Sequence, residues 1–378
     1  MNIVIAPDSF KECLTATEVS ENIAKGILNI NPNAKIKIFP ISDGGEGLLE
    51  SLVIPFGGKI ISVNVKDPLE RDINSQYGIL KNSKTAVIEL AKASGLELLD
   101  NNEKNPLITT TYGTGQLIKD ALDRGCRKFL IGLGGSATND GGSGIAKALG
   151  AKFLNNSNKE LKLGGGYLNE LNHIDLSNFD ERIKDCDVKV ACDVTNPLTG
   201  INGASFIYGA QKGGSSEDLK ILDNNLKKYA KAVKSTLNKN IDTIAGAGAA
   251  GGSGAGLMAF LNAKLVNGIE LILETLQIEE HVKKADLVIT GEGKIDKQTL
   301  SGKTVSGISK MAKKHQVPVF VITGKIGEDI KEIYNTGVTA IFSIVNQPME
   351  LSIAIKNANS LIISCTENIM RTIQNFKV

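Results

Sequence analysis

Three glycine-rich stretches hold the residues whose types and spacing point to chemistry. Residues 132–144 read Gly-Leu-Gly-Gly-Ser-Ala-Thr-Asn-Asp-Gly-Gly-Ser-Gly, after an apolar strand pattern and before a helical one. Glycine permits positive φ and close backbone approach, so successive N–H groups can converge on an anion. The N-terminus of the following helix adds partial positive charge. Ser136, Thr138 and Asn139 supply donors for phosphate or carboxylate oxygens. A tight strand-to-helix turn is the plainer reading, and the polar residues between the glycines weigh against it.

Residues 246–256 form a second run, with a Gly-x-Gly-x-x-Gly string at Gly246, Gly248 and Gly251. No strand pattern precedes it and no βαβ unit surrounds it, which argues against a dinucleotide fingerprint. A hinge, a helix-packing turn and a phosphate contact all stay open for it. The third stretch, 290–304, ends in Gly302-Lys303-Thr304 like the tail of a Walker A loop. The glycine that pattern needs five positions earlier is Lys297, so the match fails. What is left is a strand ending at Thr290 that presents Glu292, Lys294, Asp296 and Lys303 from its C-terminal edge, where α/β sheets place ligands. Other strand patterns are followed by Asp8 and Lys11, by Asp43 and Glu46, and by Asp193 ahead of the turn 195–200. Singly, each reads as a turn residue. Together, anion-cradling glycines, lysines and carboxylates suited to Mg²⁺ make up the parts of phosphoryl transfer.

The elements that must position these residues fall into two textures. A strand at 3–6, a helix at 17–28 capped by Thr15 or Thr17, and a strand at 35–40 start a parallel α/β sheet. The strand-like stretches 59–65, 74–80 and 85–90 follow without long helices between them, which predicts an antiparallel meander. A helix at 115–124, a strand at 128–133, a helix at 145–149, a strand at 187–194 and a helix at 217–237 complete the middle. Near 285 the opening rhythm returns, with strands at 286–290, 317–323 and 339–345 and helices at 302–314 and 353–372. The expectation is an α/β fold with a discontinuous outer domain, 1–60 plus 285–378, and a mixed α/β domain, 61–284, inserted into it.

Composition removes several function classes. The 43 Lys+Arg nearly balance the 41 Asp+Glu across 378 residues, so no basic surplus is there for a nucleic-acid backbone. There is no Trp, and few aromatics are available as stacking platforms. No window approaches the ~20 apolar residues of a membrane span. The start, Met1 to Pro7, lacks a positively charged region, so a cytoplasmic protein is expected. Five scattered cysteines with no Cys-x-x-Cys pair suggest neither a disulfide framework nor a zinc site. Cys192 reads as a small buried hydrophobe. His173, His281 and His315, in polar surroundings, give a Ser-His-Asp triad or histidine metal site little to draw on.

The stretches 6–16 (APDSFKECLTA), 41–47 (ISDGGEG), 110–118 (TTYGTGQLI), 132–144, 191–200 (ACDVTNPLTG), 208–213 (YGAQKG), 246–257 and 289–304 resemble, in order and over nearly the whole chain, the bacterial type I glycerate kinases. The resemblance implies a Rossmann-like three-layer outer domain and an inserted domain, with the active site in the cleft. It implies ATP-dependent phosphorylation of D-glycerate on the 2-hydroxyl, with ATP and Mg²⁺ required. A kinase giving 3-phosphoglycerate or using a related hydroxy acid, and a non-catalytic binder of sugar acids or nucleotides, are the alternatives. For the residues it implies Asp193 as the base that accepts or orients the hydroxyl proton, with Asp296 next in line. Lys11 becomes the cation for transferring phosphate or carboxylate. Ser9, Asp43, Gly44, Gly45, Gly134, Gly135, Ser136, Thr138, Asn139, Asp140, Gly291, Glu292 and Thr299 become substrate or phosphate contacts. Asp43, Glu46, Glu292 and Asp296 become the Mg²⁺ candidates. No nucleic-acid or membrane partner is implied, and a homodimer stays open.

Overall fold

The computed structural model describes residues 1–41, 47–81, 83–300 and 303–375, the side chain of Gln298 excepted. In chain order the strands are β1 Asn2–Ile5, β2 Lys35–Ile38, β3 Lys59–Lys66, β4 Asp72–Ile79, β5 Thr85–Glu89, β6 Lys128–Gly132, β7 Lys152–Leu154, β8 His173–Asp175, β9 Asp187–Ala191, β10 Lys264–Val266, β11 Leu287–Ile295, β12 Val319–Ile326 and β13 Val338–Ser343. The chain divides into two compact units, Met1–Asp43 with Ile269–Val378, and Gly44–Gly268.

The first unit is built on a five-stranded sheet, order β13-β12-β11-β1-β2, parallel throughout. Parallel neighbours need helical crossovers that cover the sheet, so the strands read as continuous apolar runs. Ile3 and Ile5 of β1, Leu287 and Ile289 of β11 and Ile322 of β12 enter a core with Val19, Ile23 and Ile27 of the Ala16–Ile30 helix. Leu361, Ile362, Ile369 and Met370 of the Ala358–Asn375 helix complete it. The two helices lie so close that a Cβ on Gly26 would meet Ile363 O and Thr366 Cβ at 2.7 Å. Thr15 starts the first of them as expected: its side chain accepts from Glu18 N, and Glu18 accepts from Thr15 N at 2.8 Å. Thr15→Ala removes this capping box and is expected to destabilise the unit by about 1 kcal/mol in urea titration, with the midpoint moved and the slope unchanged.

The second unit carries a six-stranded mixed sheet, order β10-β9-β6-β5-β4-β3, and a small β7-β8 hairpin. β3, β4 and β5 pair antiparallel, as the meander predicts. The meander does not end there, because β5, β6, β9 and β10 run parallel in the same sheet. Helices Tyr112–Asp123 and Ser216–Leu237 flank a core centred on Phe129, Ile131, Val190, Phe153 and Tyr229.

Several element boundaries differ from the sequence expectation, each for a contact reason. Residues 49–53 form a π-helical turn whose Val53 packs against Gly58 and Gly78, and Leu49 N donates to Glu89, which ties the segment to the second unit. Ile269 packs on Gly307, which ties the segment after Gly268 to the first. β11 does not stop at Thr290 but runs to Ile295, since Glu292, Lys294 and Ile295 continue the parallel ladder opposite Thr323, Lys325 and Ile326. The stretch Ala249–Leu261 at the end of the second glycine run is regular helix only after Gly252, because Ala250, Gly251 and Gly252 are left-handed. The last helical stretch is two helices, Leu351–Lys356 and Ala358–Asn375.

Candidate functional site

In the second unit the register decides which loops meet. β6 and β9 lie side by side with Gly132 opposite Ala191, so the segments leaving them emerge at one C-terminal edge of parallel strands. There Gly134, Gly135 and Ser136 from the first segment and Cys192, Asp193 and Val194 from the second line one cavity of about 230 Å³. Tyr208, Gln211 and Lys212 close it, and Ala249 and Ala250 form an apolar wall. Gly135 adopts φ +69, and its carbonyl accepts from Leu96 N at 2.8 Å. The Asp193 carboxylate is exposed, with Oδ1 accepting from Asn267 Nδ2 at 2.8 Å and from Gly268 N at 2.9 Å. Cys192 is half-buried, its thiol donates to Val194 O at 3.4 Å, and burial pushes its pKa up.

Lys212 is the unexpected member. Only 2% exposed, it donates from Nζ to Ser136 Oγ at 2.8 Å and to Thr138 O at 2.7 Å. Burial lowers its pKa to about 7, and Asp140 pulls the other way. An ammonium taken out of water destabilises its own charged form in this way.

The remaining polar residues of the 132–144 loop lie behind the cavity. Asp140 is fully buried: Oδ2 accepts from Thr111 N and Thr111 Oγ1 at 2.9 Å and from Gly144 N at 3.2 Å, and Oδ1 accepts from Gly142 N at 3.1 Å. Thr138 and Asn139 are buried as well, with Asn139 Nδ2 donating to Ser205 Oγ at 2.9 Å. Thr138 Oγ1 and Asn139 Oδ1 have no hydrogen-bond partner among the described residues. The second glycine run explains this burial. Ala250, Gly251 and Gly252 take three consecutive left-handed conformations, and a Cβ on Gly251 would lie 1.9 Å from Thr138 O. Gly141 N donates to Gly251 O at 3.0 Å. The run thus packs closely against the first loop.

In the first unit, the β1–β11 register pairs Ile5 with Ile289, and Asp8 N donates to Gly291 O at 2.8 Å. That brings Asp8 and Ser9 beside the Gly291–Glu292 end of β11. Asp8 Oδ1 accepts from Ser9 N at 2.6 Å, and Asp8 Oδ2 accepts from Thr304 Oγ1 at 2.9 Å. Thr299 Oγ1 donates to Glu292 Oε1, and Asp296 pairs with Lys294 at 2.8 Å. Burial pushes the Glu292 pKa up to about 7, Thr299 opposes this, and Asp8 and Asp296 add to it while Lys303 opposes. The backbone of Phe10 and Lys11 lies against Gly293. Among the described residues no group of three His, Cys, Asp or Glu is spaced to hold a metal unaided.

The glycerate kinase family model matches residues 3–374. The chain belongs to the glycerate kinase family. It is 47% identical over 373 residues to the glycerate 2-kinase of Escherichia coli K12, covering 99% of this chain and 98% of that one. It is also 47% identical over 358 residues to a glycerate kinase of Bacillus subtilis 168, covering 95% and 94%. A crystal structure from Salmonella typhimurium LT2, assigned as glycerate kinase 2, superposes with a TM-score of 0.90 at 43% identity, covering 99% of this chain and 98% of that one. The α/β architecture and the kinase class follow from these matches.

Measured against the sequence reading of a glycerate kinase, the structure brings Gly134, Gly135, Ser136 and Asp193 together at one cavity. It brings Asp8, Ser9, Gly291, Glu292, Asp296 and Thr299 together at the ends of β1 and β11. Thr138, Asn139 and Asp140 do not line the cavity; the backbone of the loop is what reaches it, and these side chains hold the loop from behind. Glu292 and Lys294 lie within β11 rather than in a loop after it. Asp43, Gly44, Gly45 and Glu46 lie outside the described residues. Lys212 was missed. Its signal was the 208–213 motif, which contributed to the family resemblance without yielding a residue. Among the described residues no helix is long and apolar enough to cross a membrane.

Proposed function

We propose that the chain transfers the γ-phosphoryl group of ATP to the 2-hydroxyl of D-glycerate, giving 2-phospho-D-glycerate and ADP. The observation that carries this is the cavity of the second unit, where a carboxylate residue, Asp193, and the loop residues Gly134, Gly135 and Ser136 line one small space. Its volume of about 230 Å³ lies below the ~300–1,000 Å³ of sites for drug-sized ligands, which suits a three-carbon acid. The E. coli relative's name supports the 2-hydroxyl.

In the reaction the hydroxyl oxygen forms a bond to the γ-phosphorus, the bond from that phosphorus to the β–γ bridging oxygen breaks, and the hydroxyl proton passes to Asp193. Asn267 and Gly268 fix the Asp193 carboxylate through Oδ1. Positioning and charge stabilisation dominate such transfers, because the transition state needs little covalent help from the protein. In the first unit, Lys11, Ser9, Gly291 and Thr299 are assigned to the triphosphate. Burial raises Glu292, the neighbouring carboxylates of Asp8 and Asp296 add to the rise, and hard oxygen donors of that kind fit Mg²⁺. Mg²⁺ keeps several waters and needs only one or two protein carboxylates beside phosphate oxygens, so the lack of a three-ligand cage among the described residues is compatible with it. Glu292 and Asp296 would hold it, and when bound it neutralises charge on the phosphates. The discontinuous first unit and the second unit are read as the two domains of the kinase.

³¹P NMR of the purified protein with D-glycerate and Mg-ATP tests the reading. A new phosphomonoester resonance coincident with added 2-phosphoglycerate is expected, together with ADP. A resonance coincident with 3-phosphoglycerate would overturn the position while keeping the kinase, and no transfer from folded protein would overturn the substrate.

A further inference from the structure

Lys212 is a buried cation without a matching anion in contact. An ammonium carries three protons. Two of them go to Ser136 Oγ and Thr138 O, and among the described residues there is no third acceptor. Both acceptors are neutral. Among the carboxylates of the described residues, only Asp140 acts on the ammonium electrostatically, and both Asp140 oxygens already accept from the donors of Thr111, Gly142 and Gly144. A desolvated ammonium costs several kcal/mol unless an anion offsets it. A cation whose sole task was to pin the loop would be a costly choice, since a neutral donor makes the same two bonds. Lys212 also borders the cavity that Asp193 borders, and among the described residues it is the one cationic side chain of a lining that otherwise mixes apolar Leu96, Leu133 and Ala250 with uncharged Tyr208 and Gln211.

We propose that Lys212 and Ser136 form the carboxylate subsite of this cavity, binding the carboxylate of a short 2-hydroxy acid so that its 2-hydroxyl faces Asp193. This rests on the reading of the cavity as the hydroxy-acid site. It assigns what that reading leaves open, the group that distinguishes an acid from a neutral polyol. Lys212 acts on the substrate's non-reacting end, so its loss weakens binding of the acid more than it slows the chemical step.

The test is steady-state kinetics of the full-length enzyme, wild type against Lys212→Met, with D-glycerate and Mg-ATP each varied. A charge-assisted hydrogen bond lost from a buried site corresponds to about 10–100-fold. The KM for D-glycerate should rise by that factor, with kcat and the KM for ATP changed less than about threefold. A folded Lys212→Met enzyme with an unchanged KM for D-glycerate would overturn the assignment. So would equal losses for both substrates, which is what a merely structural lysine gives.

If Lys212→Met does not fold, the wild-type pH profile decides. The groups facing the cavity are Lys212, Asp193, Cys192 and Tyr208, with Asp140 behind. Burial pushes the Cys192 thiol and the Tyr208 hydroxyl up, so both stay neutral in the neutral range. With the Lys212 pKa at about 7 in the free enzyme, binding of the carboxylate needs the protonated form below it. The KM for D-glycerate should be flat on the acid side and rise about tenfold per pH unit on the alkaline side. A KM that stays flat to pH 9 would overturn the subsite. A wild-type enzyme that makes no product from D-glycerate would instead sink the activity. The subsite would then be tested by calorimetric titration of D-glycerate into wild type and Lys212→Met, where equal affinities would end it.

Discussion

Asp193→Asn is expected to lower kcat for D-glycerate by about 10²–10⁴, the usual worth of a positioned general base, while the fold and the KM for ATP stay near wild type. The substitution is chosen for what it keeps. Asn267 Nδ2 and Gly268 N both donate to Asp193 Oδ1, and an asparagine can offer the same carbonyl oxygen to both. Asp193 is also exposed, so loss of its charge disturbs little packing. What disappears is the capacity to take a proton from the hydroxyl and the negative charge that orients it. A lowered kcat with an unchanged circular dichroism spectrum and melting temperature would support the base. A near wild-type kcat would move the assignment to Asp296, whose carboxylate pairs with Lys294 in the first unit.

Much of the candidate site was legible in the sequence because parallel sheets place ligands at the C-terminal ends of strands, and glycine with small polar residues marks those ends. Gly134, Gly135, Ser136 and Asp193 stand where that rule puts them. Two things were hidden for physical reasons. A polar residue in a glycine-rich loop looks the same on paper whether its side chain points at a ligand or back into the protein. Thr138, Asn139 and Asp140 point back because Gly251, with no Cβ, lets another backbone press onto the loop at that place. Lys212 was hidden for the opposite reason. A lysine in a polar stretch is nearly always a solvated surface charge, and only its neighbours in space, Ser136 and Thr138, reveal it as buried. In the fold, period and punctuation located most helices and strands. The extension of β11 through Gly291 and Gly293 was lost because glycines read as a turn, whereas the β12 ladder holds them extended.

The other large effect concerns stability. Asp140→Ala is expected to destabilise the second unit by about 3–5 kcal/mol, the range for removing one partner of a buried charged network. The reason is the number of donors left behind. Thr111 N, Thr111 Oγ1, Gly142 N and Gly144 N all point at the carboxyl, none can reach water where Asp140 is fully buried, and alanine accepts from none of them. Burial pushes the Asp140 pKa up and these donors pull it down, so the residue sits between a desolvation penalty and the bonds that offset it. The same bonds fix the geometry of the 132–144 loop. Gly141 and Gly142 hold positive φ beside Asp140, and the chain four to six residues upstream of Asp140 forms the cavity wall at Gly134 to Ser136. A melting temperature lowered by roughly 6–20 °C follows from the size of the unit, at about 2–4 °C per kcal/mol. Asp140→Asn should recover part of the loss, since its carbonyl can accept from Thr111 while its amide meets Gly142 N unfavourably. An Asp140→Ala protein melting within 2 °C of wild type would show that the buried donors find other partners and that the loop does not depend on this carboxyl. Loss of kcat in a variant that melts normally would restore Asp140 to the list of residues acting on substrate.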